Sequence, residues 1–199
     1  MPSKYVFPGG GVDLADATVP LATGLEAQCR ARLAERADPG LAHALAAAAI
    51  RELWEETGLM LGDADPSATP AGLSPDWQAF GAAGLQPSAR ALRFFFRAIT
   101  PPGRSRRFDA RFFLADAAGV YGDPDDFSRA SDELSHLHWV PLPKARRLNL
   151  PFITEVVLAE LAALMRDVPA TAPLPVPDSV PFFDNSGPVP TFRRLGAAG

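Results

Sequence analysis

Apolar positions along the chain change their period several times, and the changes mark out elements. Tyr5-Val6-Phe7 is a short strand-like run stopped by Pro8-Gly9-Gly10. Leu21, Leu25, Cys29 and Leu33 recur at helical spacing, which predicts a helix over residues 21–35. Asp38-Pro39 offers a capping oxygen and then a proline suited to a first helical turn. A helix over Leu41–Thr57 is therefore predicted, with Leu45, Ala48, Ala49 and Leu53 inward and Gly58 as its left-handed stop. Residues 62–84, rich in Pro, Gly, Asp and Ser, read as a loop with a short helix near Trp77. Leu92–Ile99 is almost continuously apolar, and Phe94-Phe95-Phe96 suits a strand covered on both faces. Residues 108–115 and 134–140 read as further strands, and 142–148 as a short helix. Residues 151–166 form an amphipathic pattern with Ile153, Val156, Val157, Leu161 and Leu164 inward. Beyond Val168 prolines dominate, and this segment is expected to wrap the surface or lack fixed structure.

Helices interleaved with strands place the chain in the α/β class. Composition narrows the function. The length of 199 residues fits one domain, and 47% hydrophobic residues suffice for a sizeable core. The formal net charge is −4 and no Lys/Arg-rich block stands out, which argues against polymeric nucleic acid as a partner. Cys29 is the single cysteine, so no internal disulfide forms and a reducing compartment is expected. The N-terminus lacks a basic-then-apolar leader pattern. The run from Ala44 to Ile50 is too short to cross a bilayer and runs into charges. The expectation is a cytoplasmic protein without a membrane partner.

The chemistry concentrates in Arg51-Glu52-Leu53-Trp54-Glu55-Glu56-Thr57-Gly58. Offsets of three and four put Glu52, Glu55 and Glu56 on one helix face. Like charges about 5 Å apart at an effective dielectric of about 20 repel by about 3 kcal/mol per pair. A divalent cation would neutralise that repulsion, and an all-oxygen donor set selects a hard ion, Mg²⁺ or Mn²⁺. The same spacing also describes a solvated acidic face. The apolar flank of the helix and the upstream glycines, whose bare backbone can approach an ion closely, favour the metal.

These segments, Pro8-Gly9-Gly10 and Arg51 to Gly58 with apolar Leu53, resemble the signature of the Nudix hydrolases: a Pro-Gly-Gly loop, then a helix carrying Arg-Glu-x-x-Glu-Glu-x-Gly. The resemblance runs from about Tyr5 to Met165. It implies a Nudix-type α/β/α sandwich around a mixed β-sheet, and Mg²⁺- or Mn²⁺-dependent hydrolysis of a nucleoside diphosphate linked to another moiety. Two departures stand out. The signature's glycine and early glutamate, counted back from Arg51, fall on Ala37 and His43; an insertion over residues 14–40 separates loop from helix, and the early glutamate is missing or replaced. Nudix sheets also begin with strands ahead of the Pro-Gly-Gly loop, where this sequence has only four residues before Tyr5. A sheet edge left uncovered would invite pairing between chains, as in a homodimer. The inserted segment, Val12-Asp13 and the run Arg106 to Phe113 resemble the coenzyme A diphosphatase-like branch. The expected organisation is a hydrolase domain over residues 1–168 and a Pro-rich tail over 169–199.

By this resemblance Glu52, Glu55 and Glu56 are the metal ligands, with the Gly10 carbonyl completing the shell. Arg51 holds a carboxylate by a forked hydrogen bond. One signature carboxylate, Glu55 or Glu56, or the distant Glu133, takes the proton from water. Arg107, Asp109 and Arg111 alternate on one strand face, as a wall for phosphate and base or as an internal Arg–Asp pair. His136 and His138 would share a strand face but lack a third zinc ligand. A non-catalytic Nudix-fold module that binds or senses a nucleotide is the alternative to an enzyme.

Overall fold

The computed structural model describes residues 4–69, 71, 73–169 and 171–196. Its helices and strands are α1 (Ala27–Ala34), α2 (Leu41–Thr57), β1 (Met60–Ala64), α3 (Gln78–Ala82), β2 (Leu85–Pro87), β3 (Leu92–Ile99), β4 (Asp109–Ala115), β5 (Val120–Tyr121), α4 (Leu142–Ala145), α5 (Phe152–Leu164), β6 (Val180–Asp184) and β7 (Thr191–Leu195). Strands and helices mix as the α/β class requires. Among the described residues no helix is long and apolar enough to cross a membrane. The chain divides into two compact units, one of residues 8–92 and 115–138, the other of residues 1–7, 93–114 and 139–199.

In the first unit β1 is the centre of an antiparallel three-stranded sheet ordered β2-β1-β5. Helix α2 packs against α1 and β1. Its buried side includes Ala46, Ala47 and Ile50, all at 0% exposure; of the expected stripe Ala48 is buried, while Leu45, Ala49 and Leu53 are half-buried. Alanines on several sides of a helix leave its inward direction undetermined, and tertiary packing chose a face rotated by one position. Helix α2 begins at Leu41 as expected, but Gly40 rather than Asp38 is its N-cap and no side chain caps it; Asp38 shapes the turn before, its Oδ1 accepting from the Gly40 amide at 2.8 Å and its carbonyl from Leu41. The end follows expectation, where Gly58 takes a φ of 76°.

The inserted helix is shorter than its periodicity, beginning at Ala27. Residues 22 and 23 bond to the chain after β2 instead (Ala22 N to Pro87 O and Ala89 N to Thr23 O, both 2.8 Å), which holds them out of a helix. Residues 62–84, expected as loop, contain most of β1, whose Gly62 and Asp63 disguise it, and the predicted short helix around Trp77. Trp77 and Phe80 are buried with ring centroids 5.4 Å apart.

The second unit holds a mixed four-stranded sheet ordered β4-β3-β6-β7, with β3 parallel to β6 and β6 antiparallel to β7. Phe95, Phe96 and Ala98 of β3 form a core with Val157 of α5, and Ile153, Val156, Leu161 and Leu164 pack on it. The segment expected as a tail carries the β6–β7 hairpin, with Val180 and Phe182 at 0% and 1% exposure. A Pro181 inside β6 hid the strand from the pattern; it is tolerated at this position although it cannot donate to a ladder. The final tripeptide, residues 197–199, lies outside the described residues.

Two expected strands are absent. Tyr5-Val6-Phe7 makes no ladder; it is held by Tyr5 N to Asn149 O at 3.1 Å and by Phe7 edge-on to Phe112 at 6.3 Å. Residues 134–140 are irregular, and His136 has a φ of 62°, a conformation that breaks any strand.

Candidate active site

The candidate chemistry lies at the C-terminal half of α2 and the glycine loop before it, both in the first unit. Helical spacing brings Glu52, Glu55 and Glu56 together, and the loop folds back on them. The Gly9 amide donates to Glu56 Oε2 at 2.7 Å. Gly10 lies directly against the Glu52 carboxylate; a Cβ added at Gly10 would overlap it. A side chain there would push the Glu52 carboxylate aside, which gives the loop glycine a concrete reason.

Arg51 organises the site. Nε donates to Asp16 Oδ1 at 3.1 Å, and Nη2 donates to Asp16 Oδ2 at 3.1 Å and to the Gly11 carbonyl at 2.8 Å. Nη1 donates to Glu52 Oε1 at 2.9 Å and to Glu55 Oε2 at 3.1 Å. A guanidinium has five N–H groups, so each is used. Burial alone would lower the Arg51 pKa, but the hydrogen bonds and charges of Asp16 and Glu52 hold it above its usual value.

Asp16 was not among the residues the sequence singled out. It sits at 0% exposure in a 3₁₀ turn, Leu14–Ala17, and its Oδ2 also accepts from the Asp13 amide at 2.8 Å. The signal was present: the signature's glycine and glutamate stand six positions apart, as Ala37 and His43 do, and Asp16 stands six after Gly10. Counting back from Arg51 missed it because the insertion falls between Asp16 and the helix. Asp16 thus stands at the spacing from the glycine loop where the resemblance expects the early glutamate. His43 makes an unrelated contact, Nε2 with the Val19 carbonyl at 2.9 Å.

Glu56 is the under-compensated member. It is 5% exposed, and no Arg, Lys or His pairs with it among the described residues. Burial raises its pKa; the Gly9 amide opposes this, and the charges of Glu52, Glu133 and Glu55 add to the rise. Burial likewise raises Glu55, offset by Arg51 and reinforced by Glu52 and Asp76. Among the described residues no three His, Cys, Asp or Glu side chains are set to hold a metal ion. Glu52 and Glu55 turn toward Arg51 instead. The donor chemistry still fits a hard divalent cation: all ligating atoms would be oxygens, and a buried carboxylate among carboxylates lacks a cation.

Glu133 is exposed and follows no strand. The Ser131 amide two residues earlier donates to the Glu55 carbonyl at 2.9 Å, which brings its segment onto the end of α2.

The other candidates lie in the second unit. Arg97, at 3% exposure, clamps Asp109 through Nε at 2.8 Å and Nη2 at 2.7 Å, and Arg111 Nη1 lies 3.1 Å from the same carboxylate. The internal Arg–Asp pair is therefore present, with Arg97 as a member the sequence did not mark. Burial lowers the Arg111 pKa, and nearby Arg97 adds to this. Arg107 precedes β4 and donates to the carbonyls of Thr100 and Asn185, at 3.1 and 3.2 Å. His138 Nδ1 contacts the His136 carbonyl at 2.7 Å, so the two rings do not share a strand face.

No family model matches this chain, and no curated protein matches it. Among solved structures, the chain is similar to the crystal structure of a NUDIX hydrolase from Alicyclobacillus acidocaldarius, at 26% identity over 81% of this chain and 77% of that one, with a TM-score of 0.48.

Proposed function

We propose that this protein is a divalent-metal-dependent hydrolase that cleaves the pyrophosphate of a nucleoside diphosphate linked to another moiety, with coenzyme A and acyl-coenzyme A as the first substrates to test. The observation that carries the proposal is the closure of the Gly9-Gly10 loop on Glu52 and Glu56, with Glu56 buried and lacking a cationic partner.

Glu52, Glu55 and Glu56 would hold Mg²⁺ or Mn²⁺ together with the Gly10 carbonyl. When bound, the ion supplies Lewis-acid polarisation of water and charge neutralisation on the phosphate oxygens. The chain's own groups do the rest. Arg51 fixes the rotamers of Glu52 and Glu55 against Asp16. The Gly9 amide fixes Glu56. A water oxygen bonds to one phosphorus, the bridging P–O bond breaks, and Glu55, Glu56 or Glu133 accepts the proton from the water. Arg107, Asp109 and Arg111 are proposed as substrate-contacting residues; Asp109 is committed to Arg97 and Arg111, and Arg107 to the Thr100 and Asn185 carbonyls, so substrate would have to displace a bond at either. A cytoplasmic setting and a small-molecule partner complete the proposal, with a homodimer as the assembly to test.

The test is turnover of coenzyme A, acyl-coenzyme A, ADP-ribose and NADH with Mg²⁺ or Mn²⁺. Metal-dependent release of a nucleoside monophosphate or its equivalent supports the proposal, and absence of turnover by folded protein in all four overturns it.

One observation favours a second reading. Glu52 and Glu55 are both turned onto Arg51, as a non-catalytic nucleotide-binding or sensor module would permit. Calorimetry separates the two: nucleotide binding without divalent metal and without product identifies the sensor.

A further inference from the structure

The segment after β5 is fastened to the last turn of α2 by contacts that involve none of the carboxylate side chains. Ser131 donates its amide to the Glu55 carbonyl at 2.9 Å, satisfying one of the acceptors that a helix C-terminus leaves open. The backbone of Arg129 and Ala130 lies on Gly58, where an added Cβ would come within 3.0 Å of the Ala130 nitrogen and the Arg129 carbonyl carbon. The Arg129 guanidinium stands 5.3 Å from the centre of the Trp54 ring, and Trp54 in turn packs edge-on against buried Phe80, with centroids 6.2 Å apart. Trp54 occupies a position that the signature pattern leaves open, so the pattern itself does not call for this contact.

We propose that residues 127–133 form a docked arm, latched by Arg129 on Trp54 and by Ser131 on Glu55, which carries Glu133 to the carboxylate cluster as general base. Trp54 and Arg129 are positioning residues; Glu133 is the catalytic residue of the arm. The role of Glu133 rests on the hydrolase reading, whereas the latch does not.

Two readouts test them separately. Hydrogen exchange on the full chain follows the Ser131 amide, expected to exchange at least about tenfold faster in Arg129→Ala and to stay protected in Arg129→Lys, which keeps a cation over the ring. Steady-state kinetics then follow the arm. Glu133→Gln is expected to lower kcat about 100-fold and to remove the acidic limb of the pH–rate profile, in line with general-base contributions. Arg129→Ala is expected to lower kcat about tenfold with KM unchanged and the acidic limb retained, Arg129→Lys to recover most of that loss, and the Arg129→Ala/Glu133→Gln pair to fall no further than Glu133→Gln alone. Unchanged exchange in Arg129→Ala overturns the latch. A Glu133→Gln enzyme within twofold of wild type overturns the base. A wild-type protein with no turnover overturns the hydrolase reading and the base with it, while exchange still decides the latch.

Discussion

The Arg51 guanidinium sets Nε and Nη2 on the two oxygens of Asp16, each at 3.1 Å, and neither side chain is more than 5% exposed. A buried fork of this kind cannot be rebuilt by a single-point cation. Arg51→Lys is expected to destabilise the protein by about 3 kcal/mol, because Asp16 is left with a poor partner in a dry place. Asp16→Asn keeps shape and loses charge, and is expected to cost about 1–3 kcal/mol. Urea unfolding of both variants checks the order. In the assay, either variant is expected to lower activity by about 10- to 100-fold through misplaced Glu52 and Glu55.

Glu56→Gln separates stability from function. The neutral side chain can still accept from the Gly9 amide and no longer repels Glu52, Glu55 and Glu133. Its melting temperature without metal is expected to rise by a few degrees. Its metal-dependent kcat is expected to fall by two orders of magnitude or more. A variant that keeps full activity would contradict the role given to Glu56.

Stability should also depend on pH in a defined direction. Glu55 and Glu56 both titrate above the ordinary glutamate range when folded, so the folded chain binds more protons than the unfolded one between those values. Their stabilising contribution is present below about pH 4.3 and is lost as pH rises through the folded values. Without divalent ions, the melting temperature is expected to fall as pH rises past 5. Mg²⁺ or Mn²⁺ should raise it more at pH 7.5 than at pH 5, because protonated carboxylates bind cations poorly. Calorimetric scans with and without EDTA measure both effects.

Two glycines should respond differently to alanine. At Gly10 the new methyl meets the free end of the Glu52 side chain, which can swing away. Gly10→Ala is expected to leave stability within about 1 kcal/mol of wild type while weakening Mn²⁺ binding about tenfold. Gly58 has a φ of 76° and backbone atoms of Arg129 and Ala130 pressed on it. Gly58→Ala is expected to cost about 2 kcal/mol or more. Chemical denaturation and Mn²⁺ titration of both variants distinguish site damage from fold damage.

In the second unit, Asp109→Ala would leave the guanidinium groups of Arg97 and Arg111 facing each other with their shared carboxylate gone. The expected loss is about 1–3 kcal/mol, read by denaturant unfolding, since Arg97 and Arg111 are buried charges while the Asp109 carboxylate is partly screened by solvent.

Local chemistry written in a few adjacent residues could be read directly from the chain. Helix α2, ending at the Gly58 stop, follows from its helical periodicity and from glycine's tolerance of positive φ. Glu52, Glu55 and Glu56 share a face because helical spacing alone puts them there. Strand β3 was legible because its apolar run admits little else. What lay beyond the chain's local reach depended on partners distant in sequence. The direction in which α2 buries its alanines was chosen by α1 and β1. Segment 134–140 had a strand's composition but gained no ladder. Strand β6, with Pro181 inside it, formed because β3 offered it a parallel edge. Asp16 reached Arg51 across the whole insertion, and Arg97 took Asp109 from another strand. A helix satisfies its backbone within itself, so its sequence suffices to specify it; sheet pairing and buried ion pairs are satisfied only by a second segment, and only the tertiary fold decides which one arrives.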